Sequence, residues 1–127
     1  MIDIDPQQEL FTALKLNLEQ KGSLYDVLPL EDVPYPFYVL GENQLIDKEL
    51  KGATHGTVHQ RVDVWHYATQ RGTLSEMMLA AKAVCRNIKH TANFSWTVRK
   101  INQRIVPDNT TKTPLKHGIL EVEFYFS

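Results

Sequence analysis

Two different periodicities meet in the stretch Thr57–Ile88, and no other part of the chain restricts the fold as strongly. Val58, Val62 and Val64 alternate with Thr57, His59, Arg61 and Asp63. A repeat of two, with one apolar and one polar face, predicts a strand lying on a core. After Tyr67-Ala68-Thr69-Gln70-Arg71-Gly72 the spacing changes. Leu74, Met77, Met78, Ala81, Cys85 and Ile88 recur three or four residues apart, the pattern of an amphipathic helix. Thr73-Leu74-Ser75-Glu76 matches a capping box, in which Thr73 accepts from the Glu76 amide and the Glu76 carboxylate returns to the Thr73 amide. Nothing in this unit is arranged for catalysis; it reads as scaffold.

The remaining segments supply what that unit needs to pack against. Asp5 can cap a first helix and Pro6 suits its first position. Leu10, Phe11, Leu14 and Leu18 form its stripe, and Gly22 is a natural terminator. From Ser23 to Pro36 the pattern is irregular, and Pro29, Pro34 and Pro36 exclude a helix and discourage a central strand. Phe37–Leu40 reads as a short strand, with a bulge at Gly41 and a continuation through Leu45-Ile46. Asn93–Val106 reads as a long strand. Phe94, Trp96 and Val98 have one parity and Ile101 and Ile105 the other, so a bulge is expected near Arg99-Lys100. In the last strand, Ile119–Phe126, Leu120, Val122, Phe124 and Phe126 share one face. The order is helix, strand, strand, helix, strand, strand. The expected fold is a single α+β domain, residues 1–127, with both helices on one face of a four-stranded, mostly antiparallel sheet.

Composition removes several function classes. A net charge of −1 gives no simple electrostatic case for nucleic acid or an anionic membrane as main partner. The lone cysteine, Cys85, excludes an intrachain disulfide and falls on the apolar helix face as a small buried residue. No run of apolar residues approaches the ~20 needed to span a bilayer, and no signal-peptide pattern opens the chain. The expectation is a soluble, cytosolic protein when made. His55, His59 and His66 are close in sequence, but strand parity sends 59 and 66 to opposite faces, and no HExxH motif exists. GxSxG, P-loop and GxGxxG motifs are missing too. We therefore expect no catalytic residue, metal site or cofactor, and no enzymatic activity. The mixed-sign sheet face also argues against the open aromatic and basic platform of RNA binders with a similar layout.

Two features invite a surface role. Asp47–Gly56 and Pro107–Pro114 are long polar connections, each longer than the two to five residues of ordinary hairpins. They hold Lys48, Glu49 and Lys51 in the first and Asn109, Thr111 and Lys112 in the second. The polar sheet face should carry His59, Arg61, Asp63, Glu121 and Glu123, with Trp65 and Tyr125 among them. Large aromatics on such a face suit a covered interface better than open solvent. Lys48, Glu49, Lys51, His59, Arg61, Asp63, Trp65, Asn109, Thr111 and Lys112 are thus the candidate subunit or ring interface.

Three stretches carry a family resemblance. They are Pro34-Tyr35-Pro36-Phe37-Tyr38-Val39-Leu40-Gly41-Glu42, then Val58-His59-Gln60-Arg61-Val62-Asp63-Val64-Trp65 with its following helix, and Thr113-Pro114-Leu115-Lys116-His117-Gly118-Ile119-Leu120-Glu121-Val122-Glu123-Phe124. With the N-terminal helix they cover most of the chain, and the pattern resembles the tail-completion, or tail-terminator, proteins of long-tailed bacteriophages. The V-x-V-W strand is its most specific part. The resemblance implies a structural virion protein at the head–tail junction, without enzymatic activity. It implies a homo-oligomeric ring, usually a hexamer, between the tail tube protein and the head connector protein. DNA would pass through the ring without specific binding, and no membrane is involved. Another head–tail connector or minor virion protein is the nearest alternative, and a small binding module the next.

Overall fold

The fold follows from one sheet with unequal faces. The computed structural model describes residues 5–29, 32–50 and 53–127, with only the backbone described for 47–50 and 53–54. Its elements are α1 (Pro6–Leu18), β1 (Leu24–Tyr25), β2 (Phe37–Leu50), β3 (Ala53–Tyr67), a 3-10 turn at Ala68–Gln70, α2 (Arg71–Asn87), β4 (Trp96–Asp108) and β5 (Leu115–Phe126). The sheet is five-stranded and mixed, in the order β1-β2-β3-β5-β4. β1 runs parallel to β2, and every other neighbour pair is antiparallel.

This corrects the expected four-stranded sheet and its α-β-β-α-β-β order. The extra strand has two residues, too few to show a period, and lies in the proline-rich region that sequence leaves irregular. It forms because the Tyr38 amide donates to the Ser23 carbonyl at 2.8 Å, which draws Leu24 and Tyr25 alongside Tyr38 and Val39.

Even-numbered residues of β3 and β5 face the helices. Val58, Val62, Val64, Leu120, Phe124 and Phe126 are fully buried there, beside Leu10, Leu14 and Leu18 of α1 and Leu74, Met78 and Ala81 of α2. Each such side chain contributes about 1.5–3 kcal/mol through removal from water. Gly118 sets how closely α2 approaches: a Cβ there would lie 2.6 Å from Met78 Sδ. The Tyr38 hydroxyl donates to the Met77 carbonyl at 2.7 Å and ties β2 to α2, and burial pushes its pKa up to about 12. Burial likewise raises the Cys85 thiol to about 12, as expected for an inert core cysteine.

Both expected bulges are present, at Leu40/Asn43 in β2 and at Val98/Lys100 in β4. The β2 bulge turns Asn43 inward, where a polar ladder satisfies it. Asn43 donates to Gln60 Oε1 at 2.6 Å and accepts from Gln7 of α1, while Gln60 Nε2 donates to the Arg61 carbonyl at 2.8 Å and reaches the Gly41 carbonyl at 3.3 Å. Gln60 is thereby buried at a core position without an orphaned polar atom.

Asp5 caps α1 as expected, accepting from the Gln7 amide at 2.9 Å, with Pro6 in the first turn. The capping box at Thr73 does not form. The 3-10 turn leads directly into α2, which starts at Arg71 and places Thr73 inside the helix. The expected Asp47–Gly56 loop is also corrected. β2 and β3 pair out to Leu50↔Ala53, whereas β5 ends opposite Gly56, so this segment is a two-stranded ribbon extending past the sheet. Among the described residues no helix is long and apolar enough to cross a membrane.

Candidate functional site

The outer face of the sheet, opposite the helices, is built from the odd-numbered positions of β3 and β5 and their partners on β2 and β4. Register brings Phe37, Trp65, His117 and Val106 into one row, Val39, Asp63, Ile119 and Arg104 into the next, and Gln44, His59, Glu123 and Lys100 into a third. The face divides into two ends of different chemistry.

At one end aromatic rings pack on one another. Trp65 stacks on His117, with centroids 4.0 Å apart and planes 12° from parallel. Phe37 stacks against Trp65 at 5.7 Å and against Tyr35 at 5.4 Å, and Tyr25 meets it edge-on at 5.5 Å. Tyr25 of β1 and Tyr35 of the connection before β2 lie over this part of the face. Phe37 is only 4% exposed as a result.

Asp63 closes the aromatic end with charge. Its Oδ1 accepts from Arg61 Nε at 2.8 Å and lies 2.7 Å from His117 Nε2. The carboxylate is buried, while Arg61 reaches toward solvent. Gly41 makes room for it: a Cβ on residue 41 would meet Asp63 Oδ2 at 2.7 Å. At the rim Trp65 Nε1 donates to Asp108 Oδ2 at 3.3 Å, while Asp108 Oδ1 accepts from the hydroxyl and amide of Thr110. The Thr110 hydroxyl and amide hold the Asp108 carboxyl below its ordinary value, against a smaller opposing effect of burial, with help from Trp65 and the His117 imidazole.

The other end is polar and open. A shallow depression of about 290 Å³ is lined by side chains from four strands, among them Glu42, His59, Arg61, Lys100, Glu121 and Glu123. His59 lies 3.4 Å from Glu123, and Arg104 lies 3.7 Å from Glu121. Both pairs are substantially exposed, and such pairs contribute about 0.2–1 kcal/mol. Arg99, at the β4 bulge, sits 3.9 Å over the Tyr125 ring. This depression has no buried nucleophile and no enclosed cavity. Among the described residues no group of His, Cys, Asp or Glu is placed to hold a metal ion.

The candidate residues from sequence separate accordingly. His59, Arg61, Asp63 and Trp65 share the outer face, as strand parity requires, and His66 lies on the opposite side. Asp63 is a buried ion-pair partner, not part of a solvated surface. Lys48 and Glu49 belong to the β2–β3 ribbon, paired with His55 and Thr54, and Lys51 lies outside the described residues. Asn109, Thr111 and Lys112 are exposed in the 109–114 connection and do not join the depression. Glu42, Lys100, Arg104 and His117 belong to the face but were missed. Two of the four strands change parity at a bulge, so simple alternation does not assign their charges to a side. The signal for Lys100 and Arg104 was the parity change between Val98 and Ile101.

No model of a known protein family matches the chain, and no curated protein matches it. Among solved structures, a chain from the structure described as "Virion of native gene transfer agent (GTA) particle" has the same fold. Its TM-score is 0.66 at 13% sequence identity, over 95% of this chain and 93% of that one.

Proposed function

We propose that this protein is a non-enzymatic structural component of a virion that ends a phage tail tube and joins it to the head. The single observation that carries the reading is the fold shared along nearly the whole length with a chain of a gene transfer agent virion. The three motif stretches, which resemble tail-terminator proteins, select the tail end within that class. In this reading the chain forms a ring, a hexamer in the usual arrangement, with the tail tube protein on one side and the head connector protein on the other. DNA passes through the ring unbound.

The architecture suits such a role. The sheet carries a ribbon in which 47–50 pair with 53–56 and a polar connection at 109–114, and segments of this kind can order against a neighbouring ring. A heterologous ring needs two different patches on each subunit, and a two-ended sheet face offers them.

Immunogold labelling of purified particles with antibody to this chain tests the reading. Label at the head–tail junction is the expected result. Label confined to the capsid or the distal tail tip would keep the virion class and overturn the terminator role. An intact particle population that contains none of the chain by mass spectrometry would overturn both.

A further inference from the structure

The core is sealed over β3 and β5 and left open over β4. On the helix side Val62, Leu120 and Val122 are buried, whereas Val98, Ile101 and Ile105 of β4 are only half-buried. The cause is the placement of the roof: α2 packs mainly on β3 and β5 and reaches β4 less. β4 is also the last strand of the sheet, and among the described residues its outer edge has no partner. The bulge at Val98/Lys100 and the proline at position 107 bound a regular stretch, Lys100–Val106. Exposed edges are commonly protected by inward-pointing charges, by brevity or by a covering segment. This stretch instead turns Ile101, Gln103 and Ile105 toward the helix side, within a strand of 13 residues.

Charge gives the margin a sign. No acid stands between Glu76 and Asp108, a span that holds Lys82, Arg86, Lys89, Arg99, Lys100 and Arg104. On α2 the core is met by Leu74, Met78, Ala81 and Cys85, and Val84, Asn87 and Ile88 line a cleft against α1. With about 3.6 residues per turn, Lys82 and Arg86 fall on the opposite flank, the one over β4. Lys100 and Arg104 border the same strand on the outer face. Arg104 lies 3.7 Å from Glu121, and Glu123 is held by His59. Among the described residues Lys82, Arg86 and Lys100 have no ion-pair partner. Cations on the exposed side of an edge are themselves protective, but that role needs neither the pair on α2 nor a half-buried apolar strip.

The margin therefore combines an unpaired backbone, an apolar strip on the helix side and unmatched positive charge. An added strand uses all three. Its main chain bonds the edge, and its side chains alternate between the two faces. One set would turn under the α2 flank against Ile101 and Ile105, and the other would lie beside Lys100 and Arg104. A polyanion such as nucleic acid would use the cations alone. We propose that the Lys100–Val106 edge takes up an extended segment of a partner protein in which apolar residues alternate with acidic ones, as a sixth strand of the sheet. The edge offers these bonds whether or not the chain closes a ring.

The test uses the full chain, labelled with nitrogen-15, and a blocked seven-residue peptide of alternating aspartate and isoleucine. A control peptide has the same composition with its isoleucines in one block. The alternating peptide in millimolar excess should shift the amide signals of Lys100–Val106 and slow their exchange with solvent. The block peptide should bind about tenfold more weakly, and Lys82→Glu with Lys100→Glu should weaken the alternating peptide by a similar factor. Two further peptides carry N-methyl groups on one or the other set of alternate amides. An added strand bonds through one of its edges, so one of these should lose binding and the other keep it. The same affinity in both, whether kept or lost, would overturn the backbone pairing. Equal binding of the alternating and block peptides, or an oligothymidylate that shifts the same amides as strongly, would make the edge a general anion patch and overturn the proposal. Concentration-dependent shifts at Lys100–Val106 with no response to peptide would give the edge to a second copy and overturn the partner segment. No response at these residues would overturn it as well.

Discussion

The two ends of the outer face share strands, register and alternation, yet one is a small core and the other is open and polar. At the aromatic end Phe37, Asp63 and Ile119 are each 4% exposed, although they point away from the helices. At the charged end, a few residues along the same strands, Glu121 has half of its side chain in solvent and His59 nearly half. The difference is the cover. Tyr25 and Tyr35, from the segment preceding β2, lie over the aromatic end, and nothing in the described chain does this for the charged end. Strand parity says which side a residue points to. Whether that side is dry depends on a segment that has no periodicity.

Predictions that break or sharpen this contrast differ in size. Phe37→Ala removes the ring that touches Tyr25, Tyr35 and Trp65, and should cost about 3–5 kcal/mol in urea unfolding, as for a core aromatic. A loss under about 1 kcal/mol would mean that the aromatic end is surface after all. Gly41→Ala presses a methyl group on Asp63 Oδ2 and should cost about 1–3 kcal/mol. The cost should shrink in an Asp63→Ala background, because the two residues share one space; equal costs in both backgrounds would show that they are independent. Glu123→Gln at the charged end should change stability by no more than about 0.2–1 kcal/mol, since its partner His59 is also exposed.

Asp108 gives the contrast a pH signature. Its native pKa lies below the ordinary aspartate value of 3.8, chiefly through the Thr110 hydroxyl and amide. It therefore contributes stability above that value and loses the contribution as the pH falls through its native pKa. Asp108→Asn should flatten the acid limb of the stability curve and leave the neutral plateau least affected in shape. An unchanged acid limb would show that the rim of the aromatic end does not depend on this carboxylate. The smallest folding effect should come from deleting Lys48–Ala53 in the ribbon beyond β5. That change should leave a folded chain and impair head–tail joining, checked by circular dichroism and by the yield of joined particles.

Much of the helix-facing side was legible in the residues themselves. Val58, Val62 and Val64 alternate cleanly, the α2 stripe repeats at helical spacing, and Gly41 in β2 and the parity change in β4 announced the two bulges. Local chemistry was less reliable where a neighbour competed. The capping box at Thr73 lost to the 3-10 turn, which starts the helix at Arg71. The polar composition of Asp47–Gly56 suggested a loop, but backbone pairing with no core beneath it tolerates polar side chains.

For the candidate site, sequence alone put His59, Arg61, Trp65, Glu121 and Glu123 on one face, since alternation is a property of the strand backbone. It did not show that Asp63 is buried, because that burial needs His117 from β5 and the space left by Gly41 of β2. Nor did it show the fifth strand, which pairs Leu24 and Tyr25 with Tyr38 and Val39 from the far side of the irregular segment. Sequence determined the two helical stripes, the central parts of the four longer strands and the side each inner-strand residue faces, all set by short-range periodicity. The order of the strands and the covered and uncovered ends of the outer face were decided only in the tertiary structure. Each depends on residues far apart in the chain, and no local pattern records which of them will meet.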